Sequence, residues 1–536
     1  MTLNLATLYE AVARVVPDRS AVTCGTVTRT YAELDRRANR LAAHLVKAGI
    51  EPGQHVGVYL LNSVEYVEVM LACFKARAVP ININYRYVEA ELLYLFEDAQ
   101  LHALVVESAY APGVAALADR TTHLRHVLVV DDGGGAGPVS WPEKLAVAEY
   151  EEALAACPGE SAPRADLTGD DRFVLYTGGT TGMPKGVVWR HEDFFYAALL
   201  GGNPYGEPYT SVEEVVAAAE GGNALTYLIS MPLMHGAASY TLFMGLFGGA
   251  HMVLLRSFDA VEILRCIERH GVQVVALVGD AQARPLAEAL RDRGDGFDLS
   301  SLFVIGSGGA ILSQSTQDAL KERLPNLMVR NSFGASESGA DGVIVTGEDG
   351  LMRLQPSPAV RVIDDRHGDV APGSGELGRL ARSGHVPLAY FNDPEKSSAT
   401  FPVIDGVRWV VLGDLAEVEA DGTIVVHGRG SGCINSGGEK IFPEEVEQAL
   451  KAHPAVMDVL VAGVPDERFG HRVGAVVELR RGHEGLDPEE LRTHCRATLA
   501  GYKVPAVIEI VEQVQRSPSG KADYRWAKRT LAPGTA

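Results

Sequence analysis

The stretch YTGGTTGMPKG, from Tyr176 to Gly186, gathers four glycines and three threonines around a single charged residue, Lys185. Glycine lets backbone amides approach an anion, threonine adds hydroxyl donors and lysine adds charge. Thr177, Gly178, Gly179, Thr180, Thr181 and Lys185 therefore make a phosphate cradle. The stretch is not the Gly-Lys-Ser/Thr loop of nucleotide hydrolases, because Pro184 precedes the lysine and Gly186 follows it. Three more stretches carry reactive groups. SFGASESGADG sets Glu337 among glycines and serines after Phe333, WVVLGDLAEV puts Asp414 after Gly413 at the expected end of an apolar strand, and PSGK presents Lys521 on a turn. A carboxylate at a strand end suits a ribose diol or a metal. Each stretch alone also reads as a turn or cap; their combination with the cradle points to nucleotide chemistry.

These residues need elements to hold them. RFVLY, Arg172 to Tyr176, reads as a strand, which makes the glycine-rich stretch a loop leaving a sheet. TYAELDRRANRLAAHLVKAGI repeats apolar residues at helical spacing and stops at Gly49, HVGVYL reads as a strand, and EYVEVMLACFKA reads as a second helix. Such alternation implies α/β layers with a parallel sheet. DDGGGAGP and the segment 155–171 read as polar connections, and no internal repeat is apparent. Near Gly428 the pattern breaks into a glycine-rich run and then a helix. The expected organisation is a large unit of layered sheets and helices, 1–428, a joint at 429–431, and a small C-terminal α/β unit, 432–536.

Composition limits the partners. At 536 residues the chain exceeds one hydrophobic core, and with 46% hydrophobic and 22% charged residues it has ordinary core-forming material. Its net charge of −21 argues against nucleic acid or anionic membrane as a main partner. The six scattered cysteines have no metal-type spacing and nothing at the N-terminus resembles a signal peptide, so a reducing cytoplasm is the expected compartment. The stretch 224–255 carries no Asp, Glu, Lys or Arg, but Pro232, Gly236, Gly245, Gly248 and Gly249 interrupt it. It reads as buried strand, loop and helix rather than a membrane span.

From about Thr30 to Lys521 the sequence resembles the adenylate-forming superfamily of acyl-CoA synthetases, peptide-synthetase adenylation domains and luciferases, with the motifs in the family's order. YTGGTTGMPKG is similar to the ATP phosphate loop, PLMHG to the acyl-pocket motif with His235 as gate, and GSGGA, Gly306 to Ala310, to the adenine-side loop that includes Gly308 and Gly309. SFGASE resembles the segment whose aromatic, Phe333, packs on adenine beside Gly334 and Ser336, and whose Glu337 binds Mg²⁺. Asp414 and Arg429 match ribose contacts, and Lys521 matches the adenylation lysine. SGGEKIFPEEVE resembles the loop lining the pantetheine tunnel, which implies Gly437, Gly438, Glu439 and Lys440. The resemblance implies ATP, Mg²⁺ and CoA, and a mobile small unit that rotates about Ser431 between half-reactions. GVVWRHEDFF and GRGSGCINSGGEKIFPEEVE look most like fatty-acid and sterol side-chain CoA ligases.

On that resemblance a carboxylic acid is activated as an acyl adenylate and transferred to CoA. Glu337 with Mg²⁺, the hydroxyls of Thr180 and Thr181, and Lys521 would cancel the repulsion between carboxylate and triphosphate. Three positions depart from the family: Gly178 where relatives often carry serine, Ser336 for threonine, and Ser431 where many carry aspartate or lysine. PLMHGAASYTL supplies no carboxylate for a substrate ammonium, which favours an acid without an α-amine. The small residues Gly279, Ala281, Ala283, Gly308, Gly309, Gly334 and Ala335, with Ala310, leave room for a long or bulky acyl chain. The partners are thus small molecules, and a homo-oligomer is left open. Three alternatives stand beside this reading: an amino-acid or luciferin-type adenylating enzyme, a nonenzymatic relative, and a serine hydrolase built on Gly334-Ala335-Ser336-Glu337-Ser338, which misses G-x-S-x-G only at its last residue.

Overall fold

The computed structural model describes the chain except residues 1–2, 135, 136, 138, 160–162, 164, 165, 178–182, 205, 223, 311, 348–350, 430, 431, 437, 438, 467, 468, 517–519 and 533–536; at 429, 435, 439, 440 and 470 only the backbone is described. The expected elements form where the pattern puts them. The helix Tyr31–Lys47 is closed at its start by a reciprocal capping box between Thr30 and Glu33. The strand His55–Tyr59 leads into the helix Val64–Ala76, which Ser63 caps. That second helix is buried on nearly every face, including two charged side chains that must therefore be paired. Lys75 Nζ lies 2.6 Å from Glu10 and 2.8 Å from Asp35, and Glu68 accepts from Arg37 at 2.6 Å and from the Tyr150 hydroxyl at 2.8 Å.

Three sheets carry the architecture. An eight-stranded sheet includes His55–Tyr59, Val79–Asn82 and the phosphate-loop strands Arg172–Thr177 and Lys185–Arg190. A fourteen-stranded sheet includes, side by side and parallel, His251–Leu254, Thr226–Ile229, Val274–Leu277, Val304–Ser307 and Met328–Ala335. From Gly339–Thr346 onward that sheet turns antiparallel, so the parallel expectation holds for the half that carries the crossover helices and not for the rest. A five-stranded sheet comprises Glu439–Ile441, Ile434–Ser436, Gly470–Leu479, Val456–Asp466 and Val507–Val511. Sheet membership changes between Ile424–Arg429, which pairs within the large sheet, and Ile434–Ser436. The uncharged stretch 224–255 resolves into the strand Thr226–Ile229, the helix Gly236–Phe247 and the strand His251–Leu254. No described helix is long and apolar enough to cross a membrane.

The two large sheets meet over an aromatic core in which Phe74, Phe173, Phe194 and Phe243 contact one another edge-on or tilted. Two asparagines, Asn62 buried and Asn82 half-buried, staple across that junction. Asn62, just past the strand His55–Tyr59, donates to the carbonyls of Met231 and Leu255, each at 2.9 Å, and accepts from Leu233 N–H at 2.7 Å. Asn82 donates to the carbonyls of Tyr176 and Met234 at 2.8 and 2.7 Å and accepts from Tyr176 N–H at 2.7 Å. Residues of the eight-stranded sheet thus hold the backbone of the loop Met231–His235 that leaves the other sheet. Asn62→Ala strands three backbone groups in the interior and should destabilise the large unit by about 3 kcal/mol, since each orphaned buried group costs roughly 1–3 kcal/mol. Urea titration of the variant checks this, and an unchanged midpoint would show that water replaces the staple without cost.

Candidate active site

Along parallel strands, alternate residues face one side, and residues in register lie at the same depth. Tyr227, Val274 and Val304 are in register, as are Ala276, Gly306 and Arg330 one step on. All six line a cavity of about 620 Å³. Its opposite wall is the helix Gly236–Phe247, which contributes Tyr240, Thr241 and Met244. Past the strand ends the lining turns polar: Thr177 and Pro184 from the phosphate-loop hairpin, Gly308 and Gly309, and Phe333 to Ser336. Ligands in α/β sheets gather at this edge, outside the carboxyl ends of the strands. Lys521, from the C-terminal unit, lines the same cavity.

Each expected group has a local reason for its place. Lys185 opens the strand Lys185–Arg190 directly opposite Thr177, is ion-paired with Asp393 and lies 5.6 Å from the Tyr390 ring centre. Residues 178–182, and with them Gly178, Gly179, Thr180 and Thr181, lie outside the described residues, as do Ser431, Gly437 and Gly438 and the side chains of Arg429, Glu439 and Lys440. Glu337 occupies the turn between the antiparallel strands Met328–Ala335 and Gly339–Thr346 and accepts from the Tyr390 hydroxyl at 2.8 Å. The turn is tight: a Cβ on Gly334 would stand 2.0 Å from the Gly339 carbonyl oxygen, so nothing larger than glycine fits. Ser336 sits in this hairpin, its carbonyl accepting from the Trp189 indole at 3.0 Å. A nucleophile elbow needs a strand-to-helix turn, so the serine-hydrolase alternative loses its structural basis.

Two expectations shift. Asp414 is not at a strand end; Val407–Val418 continues past it, pairing on both sides, and Asp414 lies opposite Arg429, which joins the two expected ribose contacts on neighbouring strands. Gly279, Ala281, Ala283 and Ala310 are not among the cavity-lining residues; Val278 is. The chain turns into the helix Gly279–Arg293 there, and Gly279 N–H bonds the Ser307 hydroxyl at 2.9 Å, which directs the small residues away from the cavity. Gly308 and Ala335 do line it. Sequence reasoning missed Tyr390, Asn62 and Asn82; the two asparagines had a signal, a polar residue at the end of an apolar run.

His235 is the residue before the helix Gly236–Phe247 and lines the cavity, its Nε2 without a hydrogen-bond partner among the described residues. Burial, helped by the charges of Lys521 and Arg86, pushes its pKa down to about 3, so it is a neutral wall residue and not a proton donor near neutrality. In the unfolded chain a histidine titrates at about 6.5. Between about 6.5 and 3 the unfolded state binds a proton that the fold refuses, so this contribution to stability is present above 6.5 and is lost progressively as pH falls. Urea titrations between pH 4 and 6 should show His235→Asn with a shallower pH slope than the parent, by about 1.4 kcal/mol per pH unit. Equal slopes would mean that His235 protonates inside the fold.

Comparison with known proteins covers nearly the whole chain. The AMP-binding enzyme family profile matches residues 9–390, and the AMP-binding enzyme C-terminal domain matches residues 445–521. The 3-oxocholest-4-en-26-oate–CoA ligase of Rhodococcus rhodochrous is 44% identical over 541 residues, covering 98% of this chain and 96% of that protein. The medium/long-chain-fatty-acid–CoA/3-oxocholest-4-en-26-oate–CoA ligase of Mycobacterium tuberculosis is also 44% identical, with the same coverage. Among solved structures, the anthranilate CoA ligase AuaEII in complex with anthranoyl-AMP superposes with a TM-score of 0.84 at 23% identity, over 99% of this chain and 97% of that one, a likeness of fold. With Thr177 of one hairpin, Ser336 of another and Lys521 from a second unit lining one cavity, and with both profiles matched in order, this chain belongs to the AMP-binding enzyme family.

Proposed function

We propose that the protein is an AMP-forming acyl-CoA synthetase whose acid is medium-to-long-chain or bulky, with steroid side-chain acids in the range. One observation carries the reading: a single cavity runs from Lys521, Thr177 and Ser336 to an apolar wall of Met231, Met244, Val274 and Val304. Its volume, about 620 Å³, is shared between the polar edge and this apolar wall, so an acyl chain and a nucleotide would lie end to end in it. The helix Gly236–Phe247 carries no carboxylate to meet a substrate ammonium, which disfavours amino acids. The near-complete coverage of the steroid- and fatty-acid-CoA ligases supports the same class.

The first step joins two anions. A carboxylate oxygen attacks the α-phosphorus of ATP, a new P–O bond forms, and pyrophosphate leaves with the bonding electrons. Lys521, which lines the cavity, would bridge carboxylate and α-phosphate with its ammonium. A unit charge about 4 Å away is worth roughly 4 kcal/mol at an effective dielectric near 20, two to three decades in rate. Phe333, Gly308 and Gly309 would flank adenine, Asp414 and Arg429 would take the ribose, and Lys185 would exchange Asp393 for phosphate. Among the described residues no cluster of His, Cys, Asp or Glu can enclose a metal. Glu337, one carboxylate beside the phosphate site, fits Mg²⁺, which takes one or two protein carboxylates and otherwise phosphate and water. Bound there, Mg²⁺ would supply charge neutralisation at the phosphates. In the second step the CoA sulfur attacks the acyl carbonyl and AMP departs. Rotation of the C-terminal domain about Ser431 would withdraw Lys521 and bring Gly437, Gly438, Glu439 and Lys440 to the pantetheine.

Pyrophosphate release against acids of graded size, with and without CoA, tests the reading. Turnover is expected with medium- and long-chain fatty acids or C₂₄ to C₂₇ steroid acids; activity confined to acetate or to amino acids would contradict it. Lys521→Ala should slow adenylate formation at least about a hundredfold while supplied acyl adenylate and CoA still give thioester; equal loss in both steps would make the lysine structural. Glu337→Gln should raise the Mg²⁺ concentration needed for half-maximal adenylation, whereas a parental Mg²⁺ titration would move the metal to another carboxylate, with Asp341 next in line.

A further inference from the structure

Lys521 reaches a cavity of the large unit from the end of a different domain, so something must fix its height and angle. The residue before it, Gly520, has φ +73, and a Cβ there would stand 2.6 Å from Val278 Cγ1, so the chain runs tight against the cavity-wall residue Val278. The Gly520 carbonyl accepts from Arg516 Nη1 at 3.2 Å, and Arg516 and Ala522 face each other in an isolated antiparallel bridge. The other side of the same guanidinium clasps Asp458 with two bonds, 2.6 Å from Nε and 2.7 Å from Nη2, the planar fork that holds a carboxylate in one orientation.

Asp458 continues the connection toward the large unit. Lys451 Nζ lies 3.8 Å from Asp458 and 3.2 Å from Asp280. Asp280 belongs to the large unit, in the first turn of the helix Gly279–Arg293, two residues after Val278. It is buried and accepts from Ser313 N–H at 2.9 Å and from the Ser313 hydroxyl at 3.0 Å. Burial alone would raise its carboxyl, but Lys451, Arg284 and the hydrogen bonds from Ser313 and Thr316 together outweigh burial and hold it down to about 2, so the charge stays in place. One turn on, Arg284 donates to the carbonyls of Val456 and Met457, at 2.7 and 2.5 Å, immediately before Asp458. A buried chain of alternating charge, Asp280, Lys451, Asp458, Arg516, therefore runs from the helix that begins at the acyl wall to the backbone that carries the lysine.

We propose that Arg516, anchored through Asp458 and Lys451 to Asp280, is the positioning residue for Lys521 and acts in the adenylation half-reaction alone. The inference rests on the acyl-CoA synthetase reading, in which Lys521 serves the first step and the C-terminal domain is displaced for the second. Arg516 touches no substrate; it fixes the Gly520 carbonyl and thereby the ammonium one residue on. Asp280 does the same work from across the interface, holding the C-terminal domain where Lys521 enters the cavity.

The test compares the parent with Arg516→Met, Arg516→Lys and Asp280→Asn in each half-reaction separately, using an acid accepted by the parent. Arg516→Met should lower the single-turnover rate of pyrophosphate release at least about thirtyfold with KM for ATP and acid within about threefold, and leave thioester formation from supplied acyl adenylate and CoA within about threefold of the parent. Arg516→Lys, which keeps charge but not the fork, should recover part of the first step. Asp280→Asn, outside the C-terminal domain, should show the same selective loss even where Arg516→Met fails to fold. Parental adenylation in Asp280→Asn, equal loss in both half-reactions, or a loss confined to KM would each overturn the assignment. A parent that forms no adenylate with any acid would instead overturn the functional reading, and the assignment with it.

Discussion

The repulsion between a carboxylate and a triphosphate is the constraint on which this architecture turns. Neither anion can be brought to the other in water at useful rates, so positive charge and backbone dipoles must be fixed before they meet. The large unit supplies the fixed part at one edge of its parallel strands, where Thr177, Gly308 and Ser336 converge. In the proposed reaction the further cation, Lys521, comes from elsewhere in the chain. On the proposed reading that division fits a lysine on a C-terminal domain with its own five-stranded sheet, held to the large unit by contacts that include the ion pair of Lys451 with Asp280.

Rigidity behind the cavity comes from different physics. The aromatic junction around Phe74 and Phe194 sets the distance between the two large sheets, while Asn62 and Asn82 set the register of the loop that presents His235. A neutral His235 then faces the cavity that Lys521 also lines. The apolar wall and the polar edge of the cavity are parts of the same strands, Val304 in one and Gly306 two residues on, while Arg172–Thr177 and Lys185–Arg190 belong to the neighbouring sheet.

Much of this was legible in the sequence because the motifs are local. The helix Tyr31–Lys47, the strand Arg172–Thr177 and the turn at Glu337 follow from periodicity and glycine placement within a few residues, whereas the antiparallel strands that flank that turn do not. Long-range pairings were not legible. Nothing near Asp414 says that its strand continues, because continuation depends on partners at Gly378–Ser383 and Ile424–Arg429. Gly279 and Ala281 looked like cavity wall because they are small, yet the turn into a helix at Gly279 gives that role to Val278. The chain from Asp280 to Arg516 joins residues more than two hundred positions apart, and no spacing rule reaches across that distance.

The claim at the centre of this account is that the cavity sets a carboxylate oxygen against the α-phosphorus. Acid labelled with ¹⁸O in both carboxylate oxygens, turned over with ATP and CoA, tests it atom by atom. The account predicts one ¹⁸O in the AMP formed and the other in the thioester carbonyl. Unlabelled AMP, with ¹⁸O appearing instead in orthophosphate, would contradict it.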